Sequence, residues 1–208
     1  MIKASTPIIL VRHGQTAWNK DERFRGRADL PLDETGIRQA KAASEKLADC
    51  EAPAIYSSPL QRTLMTAQPI TDKLGLSIQS EDDLIDIDYG TWQGLSTEEA
   101  LAKDEILYRQ WIESPHEARF PDGEGLSDVR ARVSTVIDKI LSEHSGQTVI
   151  LVSHVVVCRV FICAVLGLDN SHFWQIGQDV NAINTIGMRE EKLVLNSLND
   201  TCHLKGLS

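Results

Sequence analysis

The sequence is poor in several things that other protein classes need. Positive charge is in deficit: 21 Lys and Arg against 30 Asp and Glu leave a net charge of −9. That balance excludes a general nucleic-acid binder, whose affinity comes from neutralising phosphates. No apolar run is long enough to span a bilayer, so a membrane partner is not expected. Only four cysteines occur, Cys50, Cys158, Cys163 and Cys202, with no C-x-x-C spacing and none standing six residues before an arginine. A cysteine-based phosphatase loop is therefore absent, and with no secretory segment ahead of these cysteines the expected setting is the reducing cytoplasm. His116, His144, His172 and His203 lack the paired spacing of zinc ligands, so no metal and no cofactor is expected. Repeats, low-complexity tracts and Pro/Gly/Ser-rich linkers are missing too. With 208 residues, 42% of them hydrophobic and 25% charged, the chain can bury a large core as one domain over residues 1–208.

What is present is an apolar run that ends in a polar pair. Ile8-Ile-Leu-Val-Arg12-His13-Gly14-Gln15-Thr16-Ala17-Trp18-Asn19 reads as a buried strand over Ile8–Val11. It delivers an arginine and a histidine to the carboxyl edge, where α/β sheets place their ligands. Gly14 lets backbone approach an anion. A neutral ring nitrogen can attack phosphorus, and the planar guanidinium of Arg12 can hold two phosphoryl oxygens while charge shifts among them. One strand-terminal histidine is as readily a structural residue, but the arrangement recurs. Thr148-Val-Ile-Leu-Val152 runs through Ser153 into His154 and the apolar segment 155–162. Parallel strands of one sheet end on the same edge, so His13 and His154 are expected to converge on one ligand. This pairing suits phosphoryl transfer.

Arg12-His13-Gly14 with Thr16 and Asn19, then Ser57-Ser-Pro-Leu-Gln-Arg62-Thr63, then Ser153-His154, resembles the histidine phosphatase, or phosphoglycerate mutase-like, superfamily. The resemblance runs from about residue 7 to about residue 204. It implies that His13 is the nucleophile that becomes phosphohistidine. It also implies that Arg12, Arg62 and His154 surround the phosphoryl group, with Asn19 joining them. On its own, the sequence around Arg62 reads as a short strand, Ala54-Ile-Tyr-Ser-Ser, then a helix whose first turn holds Pro59. A protonated His154 is expected to add positive charge to that of Arg12 and Arg62.

The leaving group needs a proton, and here the chain departs from the family pattern. Relatives carry a glutamate four residues before the glycine of a segment like Leu84-Ile-Asp86-Ile-Asp88-Tyr89-Gly90; this chain has Asp86. Its side chain is shorter by one carbon–carbon bond, about 1.5 Å, so the loop must sit closer or a water must relay the proton. Asp88 could point the same way in an extended segment, and two carboxylates in one cleft would raise the proton affinity of one. Residues 12–27 carry Arg12, Lys20, Arg23, Arg25 and Arg27 against Asp21 and Glu22, a local surplus that can draw in an anion. Arg25 stands where many relatives have an uncharged polar residue, and it is a candidate for a second anionic group on the substrate. Tyr89 replaces a histidine associated with substrate recognition.

Strand-like and helix-like patterns alternate along the chain, favouring one α/β layered domain. The expected form is a three-layer sandwich, a mostly parallel central sheet with helices on both faces, plus a small helical cap insertion at about residues 92–126. Helices are predicted over 35–47, 59–74 and 127–143, and an edge hairpin over 182–188 and 192–196. Pro121-Asp-Gly-Glu-Gly125 resembles a family motif with Gly125 in place of serine, and also reads as a turn starting the next helix. Finer resemblance, in residues 84–94, 109–116, 166–174 and 198–204, is to bacterial metal-independent phosphoserine phosphatases. The expected activity is a metal-independent phosphomonoester hydrolase acting on a small phosphorylated metabolite, with phosphoserine leading. Open alternatives are a phosphoglycerate mutase-type transferase, an α-ribazole or sugar-phosphate phosphatase, a catalytically silent phospho-ligand module, and an aspartate-nucleophile scheme on Asp86 and Asp88. Oligomeric state is left open, a homodimer included.

Overall fold

The computed structural model describes residues 8–190 and 192–207. Six strands form one sheet: β1 (Ile8–Arg12), β2 (Ala54–Ser57), β3 (Ile78–Ser80), β4 (Val149–Ser153), β5 (Ile183–Arg189) and β6 (Lys192–Asp200). Their order is β3-β2-β4-β1-β5-β6. The first four strands pair in parallel, and β5 and β6 add antiparallel at the far side. The α/β sandwich with a mostly parallel sheet is as expected.

Alternation along β1 explains the layers. Successive side chains of a strand point to opposite faces. Ile8 and Leu10 join a core with α6 (Leu126–Glu143) and α7 (Val155–Val165), whereas Ile9 and Val11 join one with α2 (Glu34–Lys46) and α3 (Gln61–Leu74). A strand buried on both sides must be apolar, and β1 is so from Ile8 to Val11, with Arg12 at the edge. Three shorter helices complete the set, α1 (Ala17–Lys20), α4 (Thr97–Lys103) and α5 (Glu105–Glu113), the last two within the expected insertion.

Local rules account for most boundaries. Asp33 caps α2 by accepting from the Gly36 amide at 2.8 Å. Gly125 caps α6, and a side chain there would stand 2.9 Å from the Ala118 carbonyl oxygen, so the turn reading of residues 121–125 holds. Pro59 departs from expectation: α3 begins at Gln61 with Leu60 as its cap, so Pro59 precedes the helix. The loop takes those residues because the Ser58 amide bonds back to Val152 at 3.1 Å before the helix can start. The closing hairpin is longer than predicted, with irregular register near Thr185. Of its predicted polar turn, Glu191 lies outside the described residues.

One close approach sets the height of α2 over the β1 edge. Gly14 and Gly36 face each other, and a Cβ on Gly14 would lie 2.7 Å from the Gly36 carbonyl oxygen, while one on Gly36 would overlap the Gln15 carbonyl. Thr66 on α3 accepts from the Gly14 amide at 3.0 Å. Gly36→Ala should therefore lower unfolding stability by about 1–3 kcal/mol through forced displacement of this loop. Urea denaturation measures it; an unchanged midpoint would show that the two backbones are free to part.

Candidate active site

Three parallel strands release the chain at one edge, and backbone hydrogen bonds carry the alignment one residue further. In the β1–β4 ladder Arg12 pairs with Ser153, so the next residues, His13 and His154, emerge side by side. The His13 amide bonds to the Ser153 carbonyl at 2.9 Å. The two imidazole centroids are 5.3 Å apart, and both rings are fully buried.

The rings are held in opposite tautomers. His13 Nδ1 donates to the carbonyl of Gly14 at 2.7 Å, which leaves Nε2 as a bare lone pair. That Nε2 is buried and has no hydrogen-bond partner among the described residues. Burial and the charges of Arg62, Arg12 and Arg25 hold the ring's pKa well below 6.5, so it is neutral. His154 is arranged the other way: Arg62 Nε donates to its Nδ1 at 3.1 Å, so its proton sits on Nε2 and goes to Ser58 Oγ at 2.8 Å. A protonated His154 was expected. The structure corrects this to a neutral ring, because burial and the adjacent Arg62 push its pKa well below 6.5 and Nδ1 already accepts.

Arg62 binds the site's parts together. Besides His154 it donates to the carbonyls of Ala28 and Gly26, both at 2.7 Å, and to Asp86 Oδ2 at 3.3 Å. It thereby fixes the loop that carries Arg25. Asp86 arrives by another tether, since Ser153 Oγ donates to the Leu84 carbonyl at 2.7 Å and holds the segment against the end of β4. Desolvation raises the Asp86 pKa above its ordinary 3.8, against the opposing pull of Arg62 and Arg25. The expected cause was a second carboxylate together with a bound phosphate, and Asp88 does not supply that carboxylate. Asp88 turns away to accept from the Gly90 amide at 2.8 Å and to pair with Arg27 at 3.3 Å. The same divergence removes the paired aspartates that an aspartate-nucleophile scheme would need.

A cavity of about 420 Å³ is lined by Arg12, Asn19, Arg25, Asp86 and Tyr89 among others. His13, His154 and Arg62 are not on its wall but fully buried behind it, with His154 Nδ1 3.8 Å from the lining residue Asp86. The Arg12 guanidinium is tied to the Gln178 carbonyl, and its pKa is pushed down to about 10, chiefly by burial, so it stays charged at neutral pH. Its Nε and that of Arg25 are buried without hydrogen-bond partners among the described residues. Asn19 accepts from the Thr16 amide and hydroxyl at 3.0 and 2.8 Å, which directs its amide group. Tyr89 packs edge-on against Phe24, Phe120 and Trp111, and burial raises its pKa, so it presents a neutral hydroxyl. Cys158 is buried nearby, but its thiol is pushed up to about 12 and offers no thiolate.

Sequence reasoning passed over Ser58, Gln178, Asn181 and Arg159. Asn181 adopts a left-handed backbone with φ 58, and its amide donates to the His13 carbonyl at 3.1 Å. Its signal in sequence is no more than a lone Asn. Arg159 had a better one, a single charge inside an apolar helix, and it too lines the cavity. Among the described residues no group of three or more His, Cys, Asp or Glu could hold a metal ion, and no helix is long and apolar enough to cross a membrane.

Comparison with known proteins adds to this geometry. A model of the histidine phosphatase superfamily, branch 1, matches residues 8–201. Phosphoserine phosphatase 1 of Hydrogenobacter thermophilus is 41% identical over 197 residues, covering 95% of this chain and 93% of its own. Among solved structures, Bacillus stearothermophilus YhfR superposes with a TM-score of 0.91 at 28% identity, covering 95% of this chain and 98% of its own. A mutant phosphoserine phosphatase from Entamoeba histolytica in complex with phosphoserine gives 0.84 at 28% identity, with the same coverages.

The opposite tautomers make a sharp prediction. A group whose pKa is depressed is neutral at every pH above it, so His13 should remain neutral through pH 6.5 with its proton on Nδ1, and His154 neutral with its proton on Nε2. Imidazole ¹⁵N NMR titration reads both. A His13 midpoint at or above 6.5 would contradict the geometry.

Proposed function

The chain belongs to the histidine phosphatase superfamily and is a phosphatase, and from that premise we propose that it hydrolyses small phosphomonoesters without metal, through a phosphohistidine on His13, with phosphoserine the leading substrate. One observation carries the reading: the bare Nε2 of His13 is buried and unpartnered, and so are Nε of Arg12 and Nε of Arg25. An unsatisfied buried polar group costs about 1–3 kcal/mol. Two guanidinium donors and a nucleophilic lone pair left in that condition fit a tetrahedral phosphoryl anion with an electrophilic centre.

In the first displacement the Nε2 lone pair bonds to phosphorus as the ester P–O bond breaks, and the departing alkoxide takes the proton of Asp86. The Nδ1–H to Gly14 hydrogen bond then faces an imidazolium and strengthens with its charge. In the second, water gives a proton to the Asp86 carboxylate and attacks phosphorus. The P–N bond breaks, its electrons return to Nε2, and inorganic phosphate leaves. Arg12, Arg25 and Arg62 hold positive charge in place before either step, the electrostatic part that a metal supplies elsewhere. The raised pKa of Asp86 suits an acid that must be protonated closer to neutral pH than a solvated aspartate. Identity with a phosphoserine phosphatase over nearly the whole chain supports the substrate. The four unpaired thiols accord with a reducing, cytoplasmic setting.

Three outcomes are expected. His13→Ala should abolish turnover, and rapid quench of the wild type with phosphoserine should trap an acid-labile phosphoryl adduct on His13; a turnover-competent His13→Ala variant would refute the scheme. Asp86→Asn should lower kcat/KM on phosphoserine by about 10²–10⁴ but act far less on p-nitrophenyl phosphate, whose leaving group needs no proton. Chelation by EDTA should leave the rate unchanged, and loss of activity restored by Mg²⁺ would overturn metal independence.

A further inference from the structure

Arg159 is a charged residue that neither displacement uses. It stands on α7, beyond His154, and lines the cavity that Arg12, Arg25 and Asp86 also line. Its guanidinium carbon lies 4.7 Å from the ring centroid of Trp174 and 5.1 Å from that of Phe173, and its Nε donates to the Ile176 carbonyl at 2.8 Å. Stacking and tether together set the plane of the fork, leaving the two terminal nitrogens uncommitted among the described residues. Of Arg12, Arg25, Arg62 and Arg159, Arg62 alone is within ion-pair distance of a carboxylate among the described residues, although Asp179 acts on Arg159 from farther off.

These cations divide by location. Arg25 is close enough to depress both imidazoles, so it belongs to the phosphoryl end. Arg159, stacked on Phe173 and Trp174 at the cavity wall, bears on Arg12 and on the Tyr89 hydroxyl, two groups that Arg25 reaches as well. Arg12 and Arg25, with Arg62 paired to Asp86, meet the charge of a phosphomonoester dianion without Arg159. The cavity, about 420 Å³ and walled by Trp111, Tyr108 and Trp174, has room for a ligand of metabolite size.

We propose that Arg159 receives a carboxylate of the substrate through its two free nitrogens, so that the enzyme selects phosphomonoesters bearing a carboxylate a few bonds from the phosphate. This rests on the phosphatase reading above and goes beyond it in naming what the rest of the cavity reads. The second anionic group expected at Arg25 is assigned here to Arg159, whose fork is pre-oriented and unpaired. A bidentate carboxylate needs that planar fork, and lysine cannot reproduce it.

Phosphoserine and O-phosphoethanolamine differ by one carboxylate, and their kcat/KM ratio tests the assignment. The wild type should prefer phosphoserine. Arg159→Met should shrink that preference by about 10- to 100-fold, the range of one hydrogen-bonded charge contact, and Arg159→Lys should shrink it by less while keeping the fold. An unchanged ratio in both variants, or an equal fall on both esters, overturns the role. If the wild type splits the two esters equally well, the carboxylate assignment fails while the phosphatase reading stands. If it splits neither and no adduct forms on His13, that reading fails and takes this one with it.

Discussion

The site depends on a hydrogen-bonded ladder. β1 and β4 lie parallel with Arg12 opposite Ser153, and a parallel register, once set, fixes which residues leave the sheet together. His13 and His154 are distant in the chain, yet the ladder makes them neighbours without any bond between their side chains. A one-residue slip would send Ile8 and Leu10 into the core now filled by Ile9 and Val11 and the reverse, so close packing on both sides, and the need to bring Arg12 to the edge, enforce the register. The same ladder carries β2, and with it Ser58 and the start of α3, to the same edge.

Arg62 extends this alignment from backbone to side chains. A fully buried guanidinium demands partners for its donors. It finds them in His154, Asp86 and the carbonyls of Gly26 and Ala28, one from each segment that must be positioned. Because Arg62 is satisfied and Arg12 and Arg25 are not fully so, structural and ligand-directed charge can be told apart by their hydrogen bonds. Stability is given up at the latter. Rigid strand ends and a close glycine contact between the His13 loop and α2 hold the frustrated groups where they cannot relax onto one another.

Much of this was legible in the order of residues. Apolar runs ending in Arg12-His13 and Ser153-His154 announced strands with functional ends, since an unbroken apolar run of that length implies burial on both faces and the polar pair implies the edge. The stripe of Val129, Val133, Val136, Ile137, Ile140 and Leu141 likewise marked the inward face of α6, with Leu141 at its half-buried end. Other features were not legible. Asp86 was the favoured acid, with Asp88 able to point the same way in an extended segment; that Asp88 instead pairs with Arg27 and the Gly90 amide is decided by the local turn. The charge on His154 was misjudged because its state depends on Arg62, which sequence places on another element.

Sequence by itself determined the class of fold, the candidate site residues and their delivery to one sheet edge, because periodicity and strand-end chemistry are properties of neighbouring residues. Tertiary structure alone decided which nitrogen of each imidazole carries the proton, what raises the proton affinity of Asp86, and which arginines remain unpaired. Those depend on burial and on partners from separate elements, and the electrostatic cost of a charge is set by everything packed around it rather than by the residues beside it in the chain.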